Sequence, residues 1–567
     1  GSNGVVLITT RQGNAEQRPR VTFSASAAVQ QPETRYNLMG AEDYISYVRT
    51  AAQFYKPYAA KLDKDSYSVS SANSPSSVFS TRYLNDGESV PAGYKSMTDP
   101  IDPSHTLIFQ DTDWQNHLFR TTLWQNYYVS VDGGTARTKY LASVGYTNDD
   151  GVTLSTGYKR LAARMNLTSE ITRKLRFRGN IDFADTRNDY LPNQMNQIAR
   201  GISQAPTMRL YFDDGTPSYG YNKTSMNPLY YDYVNERNSR YKRFSMSAGF
   251  TWDIVKGLKA DIQASMFNQD RRLGIYENAN YFTSARSVHE EYAETTRYLL
   301  DAYLEYTKSI KKHNLSIMGG WSYRKSDDNS FIAKAEGRST DKVITLTSAS
   351  TYTSESSDFL QAIMMGAFSR INYDYAKKYF LTMTFRADGS SKFLKGSRWG
   401  YFPGAALAWI MSEENFMKSA GSIDYLKWRV SYGQTGNNTV GIYDALGKYN
   451  TTRYDGNIGM VPSTMANATL AWETTTQLDA GVDMNLFGNR VMFTGDYFNK
   501  LTTNLLFNKD LPNTSGFSSV KTNIGKVRFY GFDLEVTTRN IVKKDVNWTS
   551  KFTYSYVRNR VVELPDN

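Results

Sequence analysis

From Val21 onward, apolar and polar residues alternate singly along the chain in runs separated by turns. Leu258, Ala260, Ile262, Ala264 and Met266 share one face of such a run, and Lys259, Asp261, Gln263 and Ser265 share the other. Period two is the geometry of a β-strand, whose successive side chains leave opposite sides of the backbone, and no helix sorts residues in this way. Val21, Phe23, Ala25, Ala27 and Val29 interleave with Thr22, Ser24 and Ser26 in the same manner, and Leu175 to Phe183 carries Arg176, Arg178, Asn180 and Asp182 opposite its apolar set. A later run sets Leu478, Ala480, Val482 and Met484 against Gln477, Asp479 and Asp483. About seventeen such segments begin near residues 21, 126, 139, 160, 175, 244, 258, 298, 315, 363, 380, 402, 426, 476, 490, 531 and 547. Their expected length is about nine to eleven residues, enough to cross a tilted bilayer core, whereas soluble strands cluster at about five or six. The predicted fold class is all-β: a transmembrane antiparallel β-barrel, greasy outside and polar within.

The connections alternate in length as well. Short ones include Asp132-Gly133-Gly134-Thr135, Val255-Lys256-Gly257, Lys311-Lys312-His313, Ala376-Lys377-Lys378 and Phe487-Gly488-Asn489. Long ones are expected roughly at 30 to 125, 185 to 243, 268 to 297, 324 to 362, 433 to 475 and 499 to 530. In outer-membrane barrels the short turns face the periplasm and the long loops face outward. Two helices are expected in these links. One runs from Gly40 to Phe54, with Tyr44, Tyr47 and Val48 at helical spacing, and a shorter one covers Met411 to Met417 with Ser412 as N-cap.

Composition narrows the picture. The 567 residues are 40% hydrophobic, without any run approaching the roughly 18 to 20 apolar residues of a membrane helix. Aromatics make up 14%, including 42 Tyr, which suits interfacial girdles and aromatic loops. The net charge of +11 is dispersed among 55 acids, so no nucleic-acid stripe emerges, and acidic lipid headgroups account for the excess. A propeller would repeat at about 40 to 45 residues, and no fixed period is present. Cysteine is absent, which removes disulfides and thiolate metal sites. His105, His117, His289 and His313 are scattered without metal-ligand spacing, and no nucleophile elbow is found. No enzyme, metal site or cofactor is expected.

Several stretches resemble the SusC/RagA-like class of TonB-dependent outer-membrane transporters. Gly4-Val5-Val6-Leu7-Ile8-Thr9-Thr10 is similar to the last strand of that class's plug domain, and Asp113-Trp114-Gln115 with Val129-Ser130-Val131-Asp132-Gly133-Gly134 is similar to its early barrel hairpin. The most specific stretch is Arg386-Ala387-Asp388-Gly389-Ser390-Ser391-Lys392-Phe393 followed by Arg398-Trp399-Gly400-Tyr401-Phe402-Pro403. Ser431 to Asn437, Trp472-Glu473-Thr474-Thr475 and Asn523-Ile524-Gly525-Lys526-Val527 continue the pattern in order. The resemblance implies residues 1–13 as the end of the plug and 14–567 as barrel. It also implies a wall of about 22 strands, of which about five are missing here.

By the same resemblance the function is active import of a large nutrient across the bacterial outer membrane. An oligosaccharide is the first expectation and a peptide the alternative; a non-transporting receptor or adhesin barrel is a third reading. Implied partners are TonB with ExbB and ExbD, a SusD-like surface lipoprotein, and outer-membrane lipid. For substrate contact, the loop from Tyr211 to Tyr241 offers Tyr219, Tyr221, Tyr230, Tyr231 and Tyr233 beside Asp213 and Asn222. Flat rings stack on sugar faces while carboxylates and amides take the hydroxyls, although the same rings also suit packing within the loop. Trp399 and Tyr401 are expected as interfacial anchors.

Overall fold

A computed structural model describes Gly13 and residues 17–33, 36–59, 77–189 and 194–564. The plug-like stretch Gly4 to Thr10 lies outside the described residues. Seventeen strands build one antiparallel sheet: β1 (Gln17–Gln30), β2 (Thr122–Gly134), β3 (Thr138–Asp150), β4 (Gly157–Glu170), β5 (Leu175–Asp189), β6 (Asn235–Val255), β7 (Leu258–Glu277), β8 (Ser287–Ile310), β9 (His313–Glu336), β10 (Thr351–Tyr375), β11 (Tyr379–Ser390), β12 (Trp399–Ile410), β13 (Ile423–Asn437), β14 (Glu473–Leu486), β15 (Val491–Thr503), β16 (Lys526–Val542) and β17 (Asn547–Glu563). Each pairs with its neighbours in chain order, so the wall is an up-and-down meander. Among the described residues β1 pairs only with β2 and β17 only with β16. The sheet therefore does not close, and every residue of β17 is exposed.

Cross-strand partners share a face, so the register carries polarity from strand to strand. Asp182 lies opposite Ser245, Ser245 opposite Phe267, Phe267 opposite Arg297, and Arg297 opposite Ser326. On the other face Ile181 meets Met246, Met246 meets Met266, and Met266 meets Tyr298. Leu258, Ala260, Ile262, Ala264 and Met266 thus occupy the apolar face, with Ile262 45% exposed, while Asp261 is buried on the polar one. Many charges on the polar side are paired. Arg178 reaches Asp261 at 2.8 Å, Thr251 donates its hydroxyl to the same carboxylate at 2.6 Å, and Arg429 bridges Asp483 at 3.1 Å and Asp496 at 2.5 Å. Pairing offsets the desolvation that partial burial imposes on each ion.

Aromatic rings mark both ends of the apolar band. Tyr375 stacks on Tyr379 and Tyr379 on Trp409 near the short turns, each at 6.3 Å, while Phe385 stacks on Tyr401 near the opposite rim. Trp399 and Tyr401 are 45% and 61% exposed on the apolar face, as interfacial anchors require.

The short turns come at 135–137, 171–174, 256–257, 311–312, 376–378, 487–490 and 543–546, all at one end of the strands, which also carries the longer link 411–422. Lys311, Ala376, Lys377, Phe487 and Asn489 hold φ between 51° and 59°, the left-handed geometry that tight hairpins demand. The first hairpin reverses at Thr135 to Arg137, one step beyond Asp132-Gly133-Gly134, which still belong to β2. At Met411–Glu413 and Asn415–Met417 the chain makes two 3₁₀ turns in place of the expected helix. Ser412 lies inside the first of them, and Ile410 precedes it without a side-chain cap.

The wall strands run longer than expected. They span 12 to 25 residues, and β6 to β10 reach 20 or more. Much of the chain assigned to loops continues as strand: only residues 278–286 separate β7 from β8, and only 337–350 separate β9 from β10. Beyond the bilayer both faces meet water, so Glu290, Tyr292 and Glu294 sit where lipid-facing residues would otherwise be. Alternation fades there, but the backbone ladder does not.

The first long link folds into its own layer. Helix α1 (Ala41–Gln53) lies against a three-stranded sheet of Arg82–Tyr83, Thr106–Phe109 and Lys95–Thr98, with Ala41, Ile45, Leu107 and Phe109 in the core. The buried stripe of α1 is Ala41, Ile45, Arg49 and Ala52, and Tyr47 is 65% exposed, so the helix is rotated from the expected Tyr44, Tyr47 and Val48 face. Arg49 sets that rotation by reaching the buried Asp99, its Nε donating to Oδ1 at 2.9 Å.

Candidate ligand-binding surface

The sequence stretches that carry the family resemblance are mostly scaffolding for the long-loop end. Asp113 caps a short helix (Trp114–Leu118) by accepting from Gln115 and Asn116 amides, and Gln115 pairs with both backbone groups of Tyr36. Arg386 donates to Asp388 at 2.6 Å, both within β11, so Asp388-Gly389 belong to the strand and the chain turns at 391–398. Phe393, Phe402, Val440, Leu470 and Trp472 make an apolar core above β11 to β13, with Trp472 donating to the Arg398 carbonyl at 2.9 Å. Asn523 exchanges two hydrogen bonds with the Ala471 backbone. Distant loops are thereby pinned to the rim.

The tyrosine loop is divided by its own packing. Tyr219 stacks face to face on Tyr281 at 4.0 Å and meets Tyr230 edge-on at 5.2 Å. Tyr230 is buried and accepts from the Tyr281 amide at 2.8 Å, and Tyr219 and Tyr231 pack around the Met226, Tyr230 and Val234 core. Burial raises the phenol pKa of both Tyr230 and Tyr231, which keeps their hydroxyls protonated. Asn222 spends its side-chain oxygen on the turn at Thr224 and Ser225, and Asp213 stands at the surface with Arg209 at 3.4 Å. Asn227, fully buried, caps the helix Pro228–Val234 and ties it to Leu210 and Ser218. Tyr221 and Tyr233 remain, 63% and 65% exposed. Of the seven candidates, the fold brings Tyr219, Tyr230 and Tyr231 into one cluster and leaves Tyr221, Tyr233 and Asp213 facing solvent.

Two cavities open on the polar face of the wall. The larger, about 670 Å³, is lined by Asn180, Asp182, Gln263, Ser265, Phe267, Arg297, Arg324, Lys392 and Asn438 among others. The smaller, about 510 Å³, adjoins it through Asp182 and Ser245 and adds Tyr128, Arg160, Arg164 and Arg243. The sequence reading missed these residues. All but Lys392 and Asn438, which come from the links after β11 and β13, are ordinary inward positions of their own strands, and only the interstrand register and the loop packing place residues as far apart as 160 and 392 on one surface.

Residues 80–567 match the family model described as TonB dependent receptor-like, beta-barrel, which covers most of the sequence. The chain belongs to this family. Among curated relatives, TonB-dependent receptor P3 of Formosa agariphila is 29% identical over all of this chain and 53% of its own length. TonB-dependent receptor SusC of Bacteroides thetaiotaomicron is 26% identical over 99% of this chain and 55% of its own length. This TonB-dependent receptor chain thus spans about half the length of the relatives it matches. A solved structure of the RagAB peptide transporter superposes with a TM-score of 0.80 at 23% identity, covering all of this chain and 64% of that one, which establishes the shared SusC/RagA-type fold. As in that family, the apolar face of the wall belongs to the outer membrane.

Proposed function

We propose that this chain supplies most of the wall and the outward loops of an importer that carries an oligosaccharide across the bacterial outer membrane. The observation that supports it best is the unbroken polar face, which follows the register from β1 to β17 and opens into the cavities at the rim. A hydrated solute passes along such a surface, whereas a barrel that only anchors an adhesin has no need of one. Energy comes through TonB with ExbB and ExbD, and a SusD-like lipoprotein covers the long loops. Tyr221 and Tyr233 offer ring faces, and Asp213 a carboxylate, to a sugar at the entrance, while Tyr219, Tyr230 and Tyr231 hold that loop in shape.

Uptake of labelled oligosaccharides by cells carrying the intact gene tests this reading. Loss of the gene, or collapse of the proton gradient, is expected to abolish uptake. Tyr221→Ala with Tyr233→Ala is expected to raise the apparent KM severalfold at unchanged barrel abundance. Uptake of peptides but not glycans would select the peptide alternative, and binding without any energy-dependent uptake would select the receptor reading.

A further inference from the structure

We infer that the polar wall at the loop-side rim is a binding site for an anionic glycan, one bearing carboxylate or sulfate groups; this rests on the import reading above. Phe267 lies between two guanidinium groups, with Arg243 5.9 Å and Arg297 5.7 Å from its ring centroid. Arg324 follows one strand further, beside Arg297's partner Ser326, and Lys392 enters from the loop above, held by the Asn438 and Val440 carbonyls. Most ions elsewhere on the polar face are matched, but among the described residues no carboxylate lies within ion-pairing reach of Arg160, Arg243, Arg297, Arg324 or Lys392. The single carboxylate lining either cavity, Asp182, is taken by Arg164. A concave surface of one sign focuses potential and concentrates anions.

Height places the cluster on the ligand's side of the membrane. Arg243, Arg297 and Arg324 stand about a dozen residues from the short turns, roughly 28 Å up a strand tilted near 45°, which is the upper edge of an apolar band about 25 Å tall. Guanidinium forks match carboxylate and sulfate oxygens in pairs, and the surrounding Ser, Asn and Gln side chains suit sugar hydroxyls. A ring flanked by cations suits a sugar face that carries negative substituents.

The test uses the intact protein purified from its outer membrane, with dextran sulfate and unsulfated dextran of matched length as probes, so that charge is the only difference. Dextran sulfate is expected to bind at least tenfold more tightly than dextran, with affinity falling as salt rises. The triple variant Arg243→Gln, Arg297→Gln, Arg324→Gln is expected to lose at least tenfold of that affinity, and the matching triple Lys variant to keep most of it. Equal binding of both dextrans, or of dextran sulfate to wild type and the Gln triple, overturns the inference. So does polyglutamate competing as well as dextran sulfate, since that makes the ligand an acidic peptide. Should the Gln triple fail to fold, the charge preference and salt dependence of the wild type decide. Energy-dependent uptake of a neutral oligosaccharide, untouched by the triple substitution, would remove the anionic-glycan claim while leaving import intact.

Discussion

Replacing Asp99 with alanine is expected to unfold the layer formed by the first long loop while the barrel wall stays folded. Arg49 and Asp99 are both fully buried, and their charges face each other with Tyr83 donating to Asp99 at 2.8 Å. Removing the carboxylate leaves a guanidinium in the interior without its counterion, at a cost of about 3 to 5 kcal/mol. Tyr83 and the Ile101 amide lose an acceptor in the same change. Hydrogen exchange followed by mass spectrometry should show α1 and the strands at 82–83, 95–98 and 106–109 losing protection together, with β2 to β5 unchanged. Arg49→Leu combined with Asp99→Leu should recover a large part of the loss, because an apolar pair of similar size asks for no counterion. Unchanged protection in the single variant would mean that α1 is held by its Ala41 and Ile45 contacts alone.

The second large effect lies in the wall. Ile262 sits on the apolar face about four residues above the turn at 256–257, near mid-membrane for a tilted strand. An arginine there should destabilise the folded protein by about 2 to 4 kcal/mol, while Gln263→Arg, one residue along and facing the polar side, should change little. Urea unfolding of the full-length protein from lipid vesicles measures the contrast. Equal losses at 262 and 263 would contradict the assignment of faces.

Much of this architecture is legible in the sequence, because a membrane imposes one strict rule on alternate positions. Sixteen of the seventeen predicted segment starts fall within the observed strands, and the other, at 490, precedes Val491 by one residue. Legibility fails where the rule is relaxed. The outer halves of β6 to β10 meet water on both faces, so nothing in their composition separates strand from loop. The rotation of α1 depends on an ion pair across 50 residues, which turns an arginine into a core residue. Within the tyrosine loop, exposure is decided partly by Tyr281, supplied by the link after β7. The cationic surface had no local signature at all, because Arg243, Phe267, Arg297 and Arg324 become neighbours only through the ladder.

The most direct test of the account is a nitroxide scan along β7. These 567 residues contain no cysteine, so single cysteines are placed in the intact protein at each position from 258 to 266, with any cysteine outside these residues replaced by serine, and spin-labelled in lipid. Accessibility to oxygen, which partitions into the bilayer, should peak at 258, 260, 262, 264 and 266, and accessibility to a water-soluble nickel complex should peak at 259, 261, 263 and 265. Profiles that rise and fall together, or whose phases are exchanged, would contradict a wall with lipid on its apolar face and water on its polar one.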